Sequence, residues 1–262
     1  MIETAINAAK SASKILVDNF GKLSTEDIKE KKKNDFLTFV DEQSEKTIIN
    51  ILLNAFPDHS IHAEESGRKK HKSDFEWIID PLDGTKNYIS DIPIFSISIA
   101  LRYKNQIQLG VVLDPIRNEL FHAEKNKGAY LNGNKILVSG RHDLDECLLA
   151  TGFPFKSRQS LPLYLKCFQE IFLSSSGMRR MGSAALDLAY VASGRFDGFW
   201  ELGLSPWDMA AGSIIIEEAG GKVSDFWGED SHLDNGYIAA TNGNIHPALI
   251  QIIQQHFLRH CG

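Results

Sequence analysis

What this sequence has little of narrows its reading first. Three cysteines, Cys147, Cys167 and Cys261, stand far apart in 262 residues, an odd number with neither the density of a disulfide framework nor zinc-ligand spacing. Plain buried or terminal thiols are expected. No apolar run approaches the roughly 20 residues that span a bilayer, and residues 1–6 lead straight into an amphipathic pattern with no basic-then-apolar leader. The expected location is the cytoplasm. Positive charge is not in excess either: 34 acidic against 28 basic residues leave a net charge of -6, so no overall field draws nucleic acid or an anionic membrane, and neither is an expected partner. That balance suits a chain that holds cations. Several catalytic signatures are missing as well. No Gly-x-Ser-x-Gly elbow occurs, the histidines lack ligand spacing, and Gly220-Gly221-Lys222 is no phosphate loop because Ile216 stands where its first glycine belongs.

What is there reads as layered helices and strands. At 43% hydrophobic and 24% charged the composition is that of an ordinary globular chain, long enough for a large core. Ile2, Ala5, Ile6, Ala9, Ser13, Leu16 and Val17 recur at helical spacing up to Gly21, and a second helix is predicted from about Val40 to Phe56. Residues 29–34, rich in lysine, separate the two as a solvated loop. From Trp77 to Leu131 short β-like runs take over. After Gly140 helices return at about 159–173, 183–193, 207–219 and 246–258, interleaved with short apolar runs. The reading is one domain over 1–262, with an N-terminal lobe to about residue 140 and a C-terminal lobe beyond.

Four acidic motifs carry the chemistry. Asp80-Pro81-Leu82-Asp83-Gly84-Thr85 follows an apolar strand, and two carboxylates two residues apart can converge on hard cations while N–H groups at Gly84 and Thr85 hold a phosphate. An ordinary Asp-Pro/Asp-Gly turn explains the same residues. Glu64-Glu65 ends a strand-like run. Asp208 sits in the first turn of an apolar helix, where an acid is commonly a dipole partner. Asp35-Phe36-Leu37-Thr38-Phe39-Val40-Asp41 places Thr38 and Asp41 at a helix start, where capping accounts for either.

Together and in this order, the motifs resemble the signature of the inositol monophosphatase family over nearly the whole chain. Its Asp-x-x-Thr-x-x-Asp is matched by Asp35, Thr38 and Asp41, its Glu-Glu by Glu64-Glu65, its Asp-Pro-(Ile/Leu)-Asp-Gly-Thr by Asp80 to Thr85, and its Trp-Asp-x-Ala-(Ala)-Gly by Trp207 to Gly212. The resemblance implies an α+β fold, a layered αβαβα sandwich, and a Mg²⁺-dependent phosphomonoesterase with up to three ions. Glu64, Asp80 and the Leu82 carbonyl would hold one ion, Asp80, Asp83 and Asp208 a second, and Glu64 with waters a third. Thr85, backed by Asp41, would orient an attacking water with the ions' help. Asp83, Gly84 and Thr85 would face the phosphate. Gly182, Ser183, Ala184 and Glu201 match the family's substrate contacts, Glu201 reading ring hydroxyls.

The implied substrate is a myo-inositol monophosphate. Relatives with the same core act on fructose 1,6-bisphosphate, histidinol phosphate, NADP or 3′-phosphoadenosine nucleotides, and bacterial relatives resemble factors that contact the transcription machinery. A homodimer and inhibition by Li⁺ are further implications. Ala63 stands where relatives often carry glycine, Ser205-Pro206 replaces the His-Cys of animal members, and the family's mobile-loop lysine cannot be placed among Lys29, Lys31, Lys32 and Lys33.

Overall fold

The computed structural model describes residues 1–32, 35–155 and 157–257. Helix α1 (Ile2–Asn19) buries a stripe of small residues, Ala5, Ala8, Ala9 and Ala12, closed by Leu16. That stripe lets it lie close against the second helix. Between the two, strands β1 (Ile28–Lys32) and β2 (Asp35–Thr38) pair antiparallel. Residues 29–32 of the lysine-rich loop expected here are therefore strand, held by backbone pairing with β2, and residues 33 and 34 lie outside the described residues. Helix α2 (Phe39–Ala55) starts on a capping box in which Thr38 and Asp41 satisfy each other's backbone N–H groups.

Strands β3 (Ser60–Ala63), β4 (Gly67–Lys69) and β5 (Phe75–Asp83) come next, followed by the short helix α3 (Thr85–Ile89). Strands β6 (Ser96–Tyr103), β7 (Gln106–Asp114), β8 (Glu119–Glu124), β9 (Ala129–Leu131) and β10 (Asn134–Ile136) then form an antiparallel meander. All eight strands from β3 onward make one sheet, ordered β10-β9-β8-β7-β6-β5-β3-β4. Alternation sorts its side chains to two buried faces. Trp77 and Ile79 pack with α1 and α2, while Ile78 between them points into the centre of the molecule.

The second half supplies β11 (Leu148–Thr151), α4 (Leu161–Leu173), β12 (Gly177–Arg179), α5 (Ala184–Ala192), β13 (Gly198–Leu202), α6 (Pro206–Glu218), β14 (Lys222–Ser224), α7 (His232–Asn235), β15 (Tyr237–Thr241) and α8 (His246–His256). Its five strands form a mixed sheet ordered β12-β11-β13-β15-β14. Helices α5 and α6 are buried along nearly their whole length because they lie between the two sheets. On the far face, α4 and α8 pack through Tyr164, Ile171, Leu249 and Ile253 against Trp200 and Ala239. The layers therefore run helix, sheet, helix, sheet, helix, the arrangement implied by the motifs. Among the described residues no helix is long and apolar enough to cross a membrane.

Close approach in the middle layer depends on absent side chains. A Cβ on Gly110 of β7 would lie 2.5 Å from the Ala211 carbonyl oxygen, and one on Gly212 would lie 2.5 Å from Leu188 Cβ. Helix α6 can thus settle onto the eight-stranded sheet and against α5, which brings its N-terminus to the end of β5.

Candidate active site

Strand β5 creates the first half of the site through an irregularity. Its pairing with β6 runs regularly to Asp80 opposite Ser98 and resumes at Asp83 opposite Ser96, with a register shift between. Pro81 donates no hydrogen bond to the ladder, and the bulge re-aims the side chains on either side of it. Asp80 and Asp83 consequently meet. Asp80 Oδ1 accepts from Leu82 N (3.0 Å), and Asp83 Oδ2 accepts from Ser183 Oγ (2.7 Å) and Ala185 N (2.8 Å) at the start of α5.

The third carboxylate arrives on α6. Ser205 and Asp208 form a capping box, with Ser205 N donating to Asp208 Oδ2 (2.7 Å). Capping is thus real, and it aims the side chain rather than exhausting its role. Carboxylate oxygens of Asp80, Asp83 and Asp208 all lie within 4.8 Å of one another. Burial pushes the Asp80 carboxyl well above the usual carboxylate range, and the charges of Glu64, Asp83 and Asp208 push it further. Three acids crowded this way need a compensating cation. Their all-oxygen donor set suits a hard ion such as Mg²⁺.

Around the trio lies a cavity of about 180 Å³. Glu64, Asp80, Leu82, Asp83, Gly84, Thr85, Gly182, Ser183, Ala184, Glu201 and Asp208, all marked by the sequence, line it together. Glu64 directly follows β3, and its N–H extends the pairing to Ile79 O (3.1 Å). Asp41 stands behind this wall: its Oδ2 accepts from Thr38 N (2.9 Å) and Thr38 Oγ1 (2.6 Å), and its Oδ1 from Thr85 Oγ1 (3.3 Å). The Thr85 hydroxyl also reaches Leu82 O (3.1 Å). Gly84 has φ +100°, and a Cβ there would meet Ile94 O at 3.0 Å, so only glycine fits this turn.

Some placements refine the motif reading. Ser183 is fully buried and its hydroxyl goes to Asp83, so it braces a carboxylate from inside the wall. Glu65 turns away from the cavity. Asp35 lies in β2, Lys29 is exposed, and the lysine candidate Lys33 lies outside the described residues, as does Cys261.

Other contributors carried no signal in the sequence. Buried Glu45 of α2 accepts from Glu65 N and Ser66 N (2.8 Å each), fixing the turn after Glu64, and Ser44 Oγ donates to Pro81 O (2.9 Å). Lys86, Gly152, Arg180 and Asp187 also line the cavity. At its mouth Lys86 Nζ lies 4.5 Å from the Phe155 ring centroid, and the Arg180 guanidinium lies 5.6 Å from the same centroid and 5.9 Å from that of Phe153. Each is defined by partners far along the chain.

Comparison with known proteins agrees with this geometry. The family model described as the inositol monophosphatase family matches residues 1–258. A Pseudomonas aeruginosa protein named Nus factor SuhB is 46% identical over 261 residues, covering 98% of this chain and 96% of that protein. Among solved structures, extragenic suppressor protein suhB from Bartonella henselae superposes with a TM-score of 0.94 at 38% identity, covering 98% of this chain and 99% of that one. The inositol monophosphatase from Anabaena (Nostoc) sp. PCC 7120 does so with a TM-score of 0.86 at 39% identity, over 99% and 97% of the two chains.

Proposed function

This chain belongs to the inositol monophosphatase family, and from that premise we propose that it hydrolyses phosphomonoesters of small polyols, myo-inositol monophosphate foremost, with two to three Mg²⁺ ions. The observation that carries the reading is the buried carboxylate trio, Asp80, Asp83 and Asp208, facing Thr85 and Glu201 across one small cavity. Glu64, Asp80, Asp83, Asp208 and the Leu82 carbonyl would hold the ions, which supply water activation and charge neutralisation when bound.

The protein's own residues do the rest. Thr85, fixed between Asp41 and Leu82 O, is placed to orient an attacking water and to take up its proton through Asp41. The turn at Gly84 and the N-terminus of α5 at residues 182–184 face the phosphate with backbone N–H groups. Glu201 accepts from hydroxyls of the leaving group. The cavity's modest size supports a small polyol over a nucleotide. Cytoplasmic placement, Li⁺ inhibition and a homodimer complete the reading.

A panel of Mg²⁺-dependent assays tests it: inositol 1-phosphate is expected to exceed fructose 1,6-bisphosphate and NADP in kcat/KM. Either of those winning would remove the substrate assignment. Asp83→Asn is expected to lower kcat by about 10²–10³-fold, as loss of a charge-stabilising group in a catalytic centre does.

The relative named Nus factor SuhB favours a second reading, a regulatory protein that binds the transcription machinery. A cellular phenotype that survives Asp83→Asn would support binding over hydrolysis.

A further inference from the structure

Asp187 is an acid without an assigned task. It lies in the first turn of α5, is 2% exposed, and its Oδ1 has no hydrogen-bond partner among the described residues. A buried, unpartnered carboxyl oxygen is costly unless something at the site uses it. Asp187 lines the same cavity as Glu201 and the three clustered acids.

Glu201 itself sits in a made-to-measure seat. A Cβ on Gly152 would overlap its carboxyl group, so the carboxylate rests directly on bare backbone. Below it, Thr151 Oγ1 donates to Trp200 O (2.8 Å) and meets Tyr164 Oη (3.1 Å), locking β11 to β13. Backbone therefore fixes one side of the Glu201 carboxyl. Asp187 lines the same cavity as Glu201 and feels its charge.

We propose that Asp187 is a positioning residue for leaving-group recognition: its buried carboxyl sets where Glu201 stands and so which hydroxyl of a polyol the site reads. The inference rests on the polyol reading of the pocket given above. Burial, then the charges of Glu201 and Asp83, push the Asp187 carboxyl well above the usual carboxylate range. Arg180, which opposes that shift, stands at the cavity mouth with its guanidinium over Phe153 and Phe155.

The test compares ligands with and without leaving-group hydroxyls. Binding of myo-inositol 1-phosphate and of inorganic phosphate is measured calorimetrically on the full chain with Ca²⁺ in place of Mg²⁺, for wild type, Asp187→Asn and Asp187→Ala. The alanine variant should weaken inositol 1-phosphate by about tenfold, the worth of one well-made hydrogen bond, and leave phosphate within about twofold. Asparagine keeps the volume and a donor and should restore most of the loss. With Mg²⁺, the alanine variant should raise KM for inositol 1-phosphate while kcat on p-nitrophenyl phosphate holds. Equal loss of both ligands would make Asp187 merely structural and overturn the proposal, as would no change in either. Wild type binding inositol 1-phosphate no better than phosphate would remove the hydroxyl reader altogether. Failure of the phosphatase reading looks different: no phosphate ester is turned over by wild type, whichever way the binding ratios fall.

Discussion

Gly152→Ala separates specificity from stability at a single atom. Its Cβ would meet the end of the Glu201 side chain, which can swing aside, and not rigid backbone. Folding free energy should therefore change by less than about 1 kcal/mol. Glu201 cannot stay where it is. Expected are a fall of about tenfold or more in kcat/KM for inositol 1-phosphate and little change for p-nitrophenyl phosphate, read by steady-state assays beside urea unfolding. An equal fall on both substrates would mean that Glu201 supports the metal cluster instead. Asp41, Asp80, Asp83 and Asp208 were legible in the sequence because each stands at a punctuated place, a strand exit or a helix cap, and their order repeats a known signature. Glu45, Gly152 and Asp187 were not. Glu45 acts 20 and 21 residues downstream and Gly152 acts on Glu201, so nothing local marks them.

Elements set these residues in place, and α6 matters most because it carries Asp208 to the strand that carries Asp80. Gly110→Ala would drive a Cβ to 2.5 Å from the Ala211 carbonyl oxygen and 2.8 Å from Ala211 Cα, backbone that cannot rotate away. Overpacking of this kind costs about 1–3 kcal/mol. Because the helix must lift, Mn²⁺ affinity measured by calorimetry should fall together with the urea midpoint; stability lost at unchanged affinity would show that Asp208 is anchored independently. At the other end of the second sheet, the first residue of α8 ties two strands. His246 Nε2 meets Ser224 Oγ of β14 (2.9 Å) and Nδ1 meets Thr241 Oγ1 of β15 (3.1 Å). Burial, with help from Lys222, lowers its pKa from 6.5 to about 4. The unfolded chain therefore takes up this proton first, and stability present above about pH 6.5 is lost as the pH falls toward about 4, about 2 kcal/mol of it by about pH 5. His246→Gln should flatten that part of the stability profile from urea melts at a series of pH values. Helices α1, α2, α4, α5, α6 and α8 all stood out by period, since apolar spacing survives any tertiary context. The strand pair β1–β2 did not, because Lys-Glu-Lys-Lys offers no apolar alternation and backbone pairing alone forms it.

The whole molecule buries three cores and leaves one helix face dressed for company. On α4, Tyr164, Cys167 and Ile171 point inward, yet Leu163, Leu165, Phe172 and Leu173 are exposed, Phe172 by 52% and Leu173 by 74%. Phe153 and Phe155 extend the apolar surface toward the cavity mouth. A net charge of -6 spread over the surface keeps copies apart unless such a patch overrides it. Large apolar side chains exposed together on one element commonly mark a contact, and a two-fold symmetric pair would place α4 against its own copy. The homodimer of the proposed function should therefore close through α4. Sedimentation equilibrium is expected to give twice 29.3 kDa for wild type and a single chain mass for Leu165→Glu/Leu173→Glu, both substitutions lying on exposed positions that leave the inward face intact. A wild-type monomer at every concentration, or a dimer untouched by the two charges, would place the contact elsewhere or nowhere. If α4 is the contact, burying Phe153 and Phe155 beside it stiffens the rim that holds Lys86 and Arg180 over the cavity. The monomeric variant should then show a raised KM for inositol 1-phosphate at a kcat within about twofold of wild type, because the carboxylate trio lies in a different layer from the contact.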